Sequence, residues 1–212
     1  MSPVFEFFFG PYLDYSWIDI SIEAIGVLFG FLSVWYSKQN KIAVFPTGML
    51  STGLFVYLLW KAGLLGDMLI NAYYFIMSVY GWYFWTRKQG QTRLHPISTT
   101  TAKEWKRASF LFIGTLLFAF AVYTYWERWT SWTAYVDTFT TALFFVGMWL
   151  MAKRKIENWI FWILGDAISI PLYFYKGLTL ASIQFVGFTL LALWGYQSWK
   201  KWYNNPPATS TV

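Results

Sequence analysis

The 212-residue chain has no cysteine and one histidine. A disulfide framework and thiolate chemistry are thereby excluded, and so little histidine leaves no ligand set for a zinc or haem site. No cofactor is expected. Charge is scarce too: 12% of the residues are Asp, Glu, Lys or Arg, against roughly a quarter in soluble domains. That is too few to cover a water-soluble fold. No GxSxG, HExxH or Walker sequence occurs, so the hydrolase, metalloprotease and nucleotide-driven pump signatures are missing. His95 stands in a basic stretch with no partner in view, and no enzymatic role is expected. Residues 1–17, MSPVFEFFFGPYLDYSW, carry Glu6 and Asp14 but no Lys or Arg, and no signal peptide is read there.

What is present is apolar. Hydrophobic residues make up 57% of the chain and aromatic ones 24%, which indicates an all-α integral membrane protein in contact with membrane lipids. Seven apolar segments approach the roughly 20 residues that a spanning helix needs. They are expected at 18–37, 42–60, 64–86, 108–126, 131–151, 157–175 and 178–199. The connections are short except at 86–107, TRKQGQTRLHPISTTTAKEWKR, which is polar and basic.

Basic residues set the expected orientation. With the N-terminus outside and the C-terminus in the cytoplasm, 13 of the 16 Lys and Arg residues lie inside, and only Lys61, Arg128 and Lys176 lie outside. That follows the positive-inside rule for a multi-pass membrane protein. Glu6, Asp14, Asp19, Glu23, Asp67, Glu127 and Asp137 fall on the outer side, an electronegative entrance that would concentrate cations. The basic residues flank spans rather than line one face, so no nucleic-acid partner is expected.

A shift of 114 residues overlays the two ends of the chain. Glu23 meets Asp137, Trp35 meets Trp149, Lys41 meets Lys155, Leu58 meets Leu172, Gly63-Leu64 meets Gly177-Leu178, Gly81 meets Gly195 and Trp85 meets Trp199. Spans 1–3 and 5–7 thus read as parallel copies of a three-helix unit joined by span 4, a 3+1+3 arrangement with a substrate site expected near the midplane. The corresponding divisions are 1–86 for the N-terminal region and first unit, 87–130 for the basic loop and linker helix, 131–200 for the second unit and 201–212 for the tail. A seven-helix receptor or scaffold without a repeat is the competing reading.

Asp166 stands mid-span in ENWIFWILGDAISIPLYFYKG (157–177). A carboxylate at that depth costs about 2.5–3.5 kcal/mol on insertion scales, so it should face protein or a water-filled cavity. Helical spacing puts Trp159, Trp162, Asp166 and Tyr173 on one face, where flat indoles and a negative charge suit a cationic ring. The alternatives are an interfacial belt for the tryptophans and a helix–helix hydrogen bond for Asp166. Span 3 offers Asp67, Asn71, Tyr74 and Ser78 on a second polar face, and span 7 offers Gln184. Asn71 can both donate and accept, or simply join two helices. Gly53, Gly165 and Pro171 are candidate hinges.

At 157–177 and at INAYYFIMSVYGWYFW (70–85) the chain resembles the PnuC family of bacterial vitamin transporters. The resemblance rests on Trp159 and Trp162 as a WxxW pair, the acid four residues later at Asp166, YKGL at 175–178 and YGWYFW at 80–85. It implies a SWEET-like architecture of seven helices, a homotrimer, and facilitated diffusion with trapping by a cytoplasmic kinase. The best-known members carry nicotinamide riboside; others carry thiamine, riboflavin or deoxynucleosides. The chain departs from the nicotinamide riboside pattern at Asn71, where Gln is usual, and at Asp166, where Asn is usual. The resemblance therefore implies nicotinamide riboside first and thiamine second. A non-transporting receptor or scaffold is the reading from another class.

Overall fold

A computed structural model describes residues 16–62, 65–89, 92–93, 95–127 and 131–205. Glu6, Asp14, Gly63, Leu64, Arg128 and the tail from 206 onward, which figured in the expectations above, lie outside the described residues.

The described residues form seven long helices: α1 (Trp17–Lys38), α2 (Val44–Lys61), α3 (Leu65–Thr86), α4 (Ala102–Tyr125), α5 (Thr133–Ala152), α6 (Asn158–Tyr175) and α7 (Thr179–Asn204). Between α3 and α4, the strands β1 (Lys88–Gln89) and β2 (Thr92–Arg93) form a short antiparallel pair. Local chemistry fixes the helix ends. Ser16 caps α1 by accepting from the Asp19 amide, and Asp19 favours the positive end of the helix dipole. α4 starts at 102 rather than at the first apolar residue near 108, because Thr101 and Glu104 close a capping box. Two further polar turns thus become helix. α7 likewise runs to Asn204, past the expected end near 199.

α1, α4 and α5 have the length and hydropathy of a membrane span. Of the other helices, α3, α6 and α7 are rich in Trp and Tyr, whose polar tips lower a hydropathy sum although their bodies remain apolar. The outward faces are apolar as well: Ile76, Leu117 and Leu190 are each more than 60% exposed. In lipid such faces are at home, and backbone groups in the helix interiors are paired within their own helix.

The helices pack in a ring. α1 lies on α2, α2 on α3, α3 on α5, α5 on α6, α6 on α7, and α7 returns to α1; α4 sits outside, against α5. The two joints between halves, α1–α7 and α3–α5, are counterparts under the same 114-residue shift. That shift also carries the bounds of α2 onto those of α6. Asn40 at φ 53° falls on Arg154 at φ 55°. The turn bond from the Lys41 amide to the Tyr36 carbonyl (3.0 Å) falls on that from Lys155 to Leu150 (2.9 Å).

At the basic ends of the helices the halves are tied by exchanged indoles. Trp85 of α3 donates its ring N–H to the Ala152 carbonyl ending α5 (3.1 Å). Trp199 of α7 donates to the Ser37 carbonyl near the end of α1 (2.9 Å). The two rings lie 5.9 Å apart. Phe45 meets Trp85 edge-on at 4.9 Å, and Trp159 meets Trp199 edge-on at 5.6 Å. These residues, with Val44, Met148 and Ala192, belong to the larger buried apolar cluster among the described residues.

The connection before α4 docks beneath this cluster. Ser98 pairs with the α5–α6 turn, donating to the Arg154 carbonyl (3.1 Å) and accepting from the Ile156 amide (3.0 Å). Glu157 accepts from the Thr100 amide and hydroxyl. Arg154 donates to the His95 carbonyl (2.9 Å) and places its guanidinium 4.0 Å from the Trp85 ring centre. The His95 ring stacks on Phe84 at 3.6 Å, a partner that the sequence did not reveal. Burial first, and then the charges of Arg154 and Arg87, hold the His95 imidazole below its ordinary pKa.

Candidate functional site

α6 supplies the centre of the site. Asp166 is 3% exposed, and no hydrogen-bond donor reaches its carboxylate among the described residues. Buried acids normally meet a donor or a cation, because desolvation of an unmet carboxylate is costly. Gly165, beside it, lets α5 approach: a Cβ there would run into the Phe144 ring. Its smallness thus serves packing as well as any hinge. Pro171 lies within the continuous helix α6.

Trp162 lies one turn toward the basic end. Its indole stacks on Phe144 at 5.5 Å and faces Tyr74 of α3 at 6.3 Å, tilted by 54°. A ring inserted flat between Trp162 and Tyr74 would need about 7 Å, twice a carbon–carbon contact distance. The pair must therefore spread, or one ring turn, before an aromatic ligand can lie between them. Tyr74 is also within electrostatic range of Asp166 and Tyr173.

The rings continue outward as a ladder. Phe144 stacks with Phe185 at 6.3 Å, and Phe185 meets Tyr173 at 5.0 Å. Beyond Tyr173, its ring faces the Lys176 ammonium at 5.4 Å, and Lys176 pairs with Asp137. On the other side, Tyr73 stacks on Phe145 at 3.9 Å and donates its hydroxyl to the Phe145 carbonyl at 3.0 Å, joining α3 to α5. This ladder brings Trp162, Asp166, Tyr74 and Tyr173 of the expected set to one interior region.

The remaining expected residues sit differently. Trp159 is 2% exposed and wedged against Gly195 and Trp199, below Trp162, in the cluster that ties the halves together. Its indole N–H is buried without an acceptor among the described residues. Asn71 is half-buried and gives its amide N–H to the Asp67 carbonyl, one turn back on its own helix (3.0 Å). Gln184 is half-buried on α7. Sequence reasoning missed Phe144, Phe145 and Phe185. Among 21 phenylalanines nothing marks these as ring-ladder members rather than lipid-facing or core residues.

Two hollows, of about 380 and 330 Å³, lie to the side of this site, among residues of α3, α4 and α5. They share Tyr73 and Leu111, and none of the expected site residues lines them.

Comparison with known proteins bears on this arrangement. The model of the family described as "Nicotinamide mononucleotide transporter" matches residues 20–201. The chain is 24% identical over 209 residues to the nicotinamide riboside transporter PnuC of Escherichia coli (strain K12), covering 88% of this chain and 86% of that protein. It is 25% identical over 184 residues to the riboflavin/roseoflavin transporter RibM of Streptomyces davaonensis, covering 84% and 83%. Among solved structures, "Crystal structure of the Vitamin B3 transporter PnuC" superimposes with a TM-score of 0.61 at 22% identity, covering 93% of this chain and 84% of that one. This likeness establishes the shared fold.

Proposed function

The chain belongs to the nicotinamide mononucleotide transporter family, and from that premise we propose that it carries nicotinamide riboside across the bacterial inner membrane. It is a membrane transporter and not an enzyme. The observation that carries the choice of substrate is the buried Asp166 carboxylate, met by no donor among the described residues, beside Trp162 and Tyr74. A flat cationic ring supplies the missing charge and stacks on the aromatic faces. Tyr173 closes the outer side. The unpaired Trp159 N–H is a donor for an amide or hydroxyl oxygen of the substrate, and Asn71 and Gln184 orient the ring substituents and ribose.

The mechanism proposed is facilitated diffusion, with a cytoplasmic kinase trapping the product. The halves 1–86 and 131–200 act as parallel repeats that rock about the midplane. The coincident helix bounds, the matched positive-φ turns and the exchanged Trp85 and Trp199 bonds support this 3+1+3 reading. The N-terminus lies outside and the C-terminus inside, on the strength of the basic-residue split. A SWEET-like homotrimer is the proposed assembly. Thiamine is the second substrate reading, favoured because both Asp166 oxygens are free to accept from an aminopyrimidine.

Uptake into proteoliposomes tests the proposal. Nicotinamide riboside should enter down its own gradient, with no imposed ion or pH gradient, and faster than thiamine. A scaffold would move neither compound, and an obligatory ion gradient would overturn the uniport reading.

A further inference from the structure

We propose that the lateral groove formed by α3, α4 and α5 is a binding site for one anionic phospholipid of the inner leaflet. It rests on the basic helix ends being cytoplasmic, and it is separate from the transport site. The two hollows lie side by side and share Tyr73 and Leu111 in their walls. The basic end of the groove is lined by Arg107 and Lys153, and the deeper end by Gly114, Phe118 and Phe145. From Arg107 to Phe118 along α4 is about 16 Å at roughly 1.5 Å per residue. That matches one leaflet of a hydrocarbon core about 30 Å thick. The groove thus offers cations at headgroup level and an apolar furrow at acyl-chain depth.

Among the described residues, one of these cations has no protein anion, and the other has only a long contact to a shared one. Arg107 has no ion-pair partner among the described residues. Lys153 lies 3.5 Å from Glu104, but that carboxylate is held more closely by Lys155 at 2.9 Å. The other described acid at this end, Glu157, is taken up by Thr100. A second copy of the chain would therefore bring no free acid of this end to the groove, whereas a phosphate headgroup would. Gly114 points the same way independently. A Cβ there would meet nothing within 4 Å. Glycine weakens a helix interior, and no close contact among the described residues requires this one. Its absent side chain keeps the furrow open.

Native mass spectrometry on detergent-purified protein tests the site, by titration with phosphatidylglycerol or phosphatidylcholine of matched chains. Phosphatidylglycerol should bind more tightly. Arg107→Gln with Lys153→Gln should erase that preference, a loss of about 25-fold if each cation near the surface contributes about 1 kcal/mol, or fivefold. Gly114→Phe should weaken both lipids by filling the furrow without lowering the thermal midpoint. Equal affinity for the two lipids, an unchanged preference in the double variant, or displacement by inorganic phosphate at lipid concentrations would overturn the proposal. So would efficient crosslinking of Gly114→Cys to a second copy, which is a clean probe because the chain has no cysteine.

Discussion

Gly195→Ala probes whether Trp159 is fixed in the floor of the site or free to move with a ligand. The added Cβ would lie 2.5–2.6 Å from three carbons of the Trp159 ring. That ring is almost fully buried and is held edge-on by Trp199 at 5.6 Å. It has nowhere to retreat without moving Trp199, whose N–H bond to Ser37 ties the two halves. Overpacking of this kind costs about 1–3 kcal/mol. Replacing glycine by alanine within a helix returns about 0.5–1 kcal/mol. The net destabilisation is then about 0–2.5 kcal/mol, a fall of up to several degrees in unfolding midpoint for a chain of this size. Gly114→Ala is the matched control, since it gains the same helix preference and meets no atom. It should raise the midpoint. Thermal unfolding in detergent, followed by tryptophan fluorescence, reads both variants. If Gly195→Ala also raises the midpoint, Trp159 is not wedged, and the floor described here is wrong.

Two more perturbations follow from the docked end of the bundle. Trp85→Phe removes the one donor that reaches the buried Ala152 carbonyl among the described residues, whereas after Trp199→Phe the Ser37 carbonyl still accepts from the Asn40 amide at 2.9 Å. An unmet buried acceptor costs about 1–3 kcal/mol, so Trp85→Phe should lower the unfolding midpoint more than Trp199→Phe; equal losses would contradict the exchange-bond account. His95 gives a pH dependence with a defined sign. Its folded pKa lies below the ordinary 6.5, so the undocked loop takes up the proton first. Docking is therefore complete above about pH 6.5 and is eroded as pH falls from there toward the folded value. Amide protection at 95–100, taken relative to the intrinsic exchange rate at each pH, should fall over that window, and His95→Phe, which keeps a ring on Phe84, should flatten the profile.

How far the sequence led depends on the type of signal. Helix number and approximate ends were legible because apolar runs near span length are dictated by the solvent, not by neighbours. The start of α4 was legible too, in the TAKE of 101–104, but the apolar run overshadowed that capping signal. Asp166 stood out because an acid in an apolar helix is costly wherever the helix packs. The place of Trp159 was partly readable: the 114-residue shift pairs it with Phe45, an unmistakable core residue in the structure. The Phe144–Phe185 stack was not readable, because phenylalanine carries no polar mark and its partner is set by the helix crossing. Nor was the docking of 95–100, whose partners are backbone and side-chain groups of a turn more than fifty residues away.

The central claim is that Asp166 holds a substrate cation. Asp166→Asn keeps the shape and removes the charge. Calorimetry on purified protein should be run with nicotinamide riboside and with an uncharged analogue of the same ring outline. The account predicts that the variant loses affinity for the cation, on the order of 1–3 kcal/mol for a charge-assisted contact, while affinity for the uncharged analogue changes little. Equal weakening of both ligands, or none of either, would show that the buried carboxylate serves the helix packing and not the substrate.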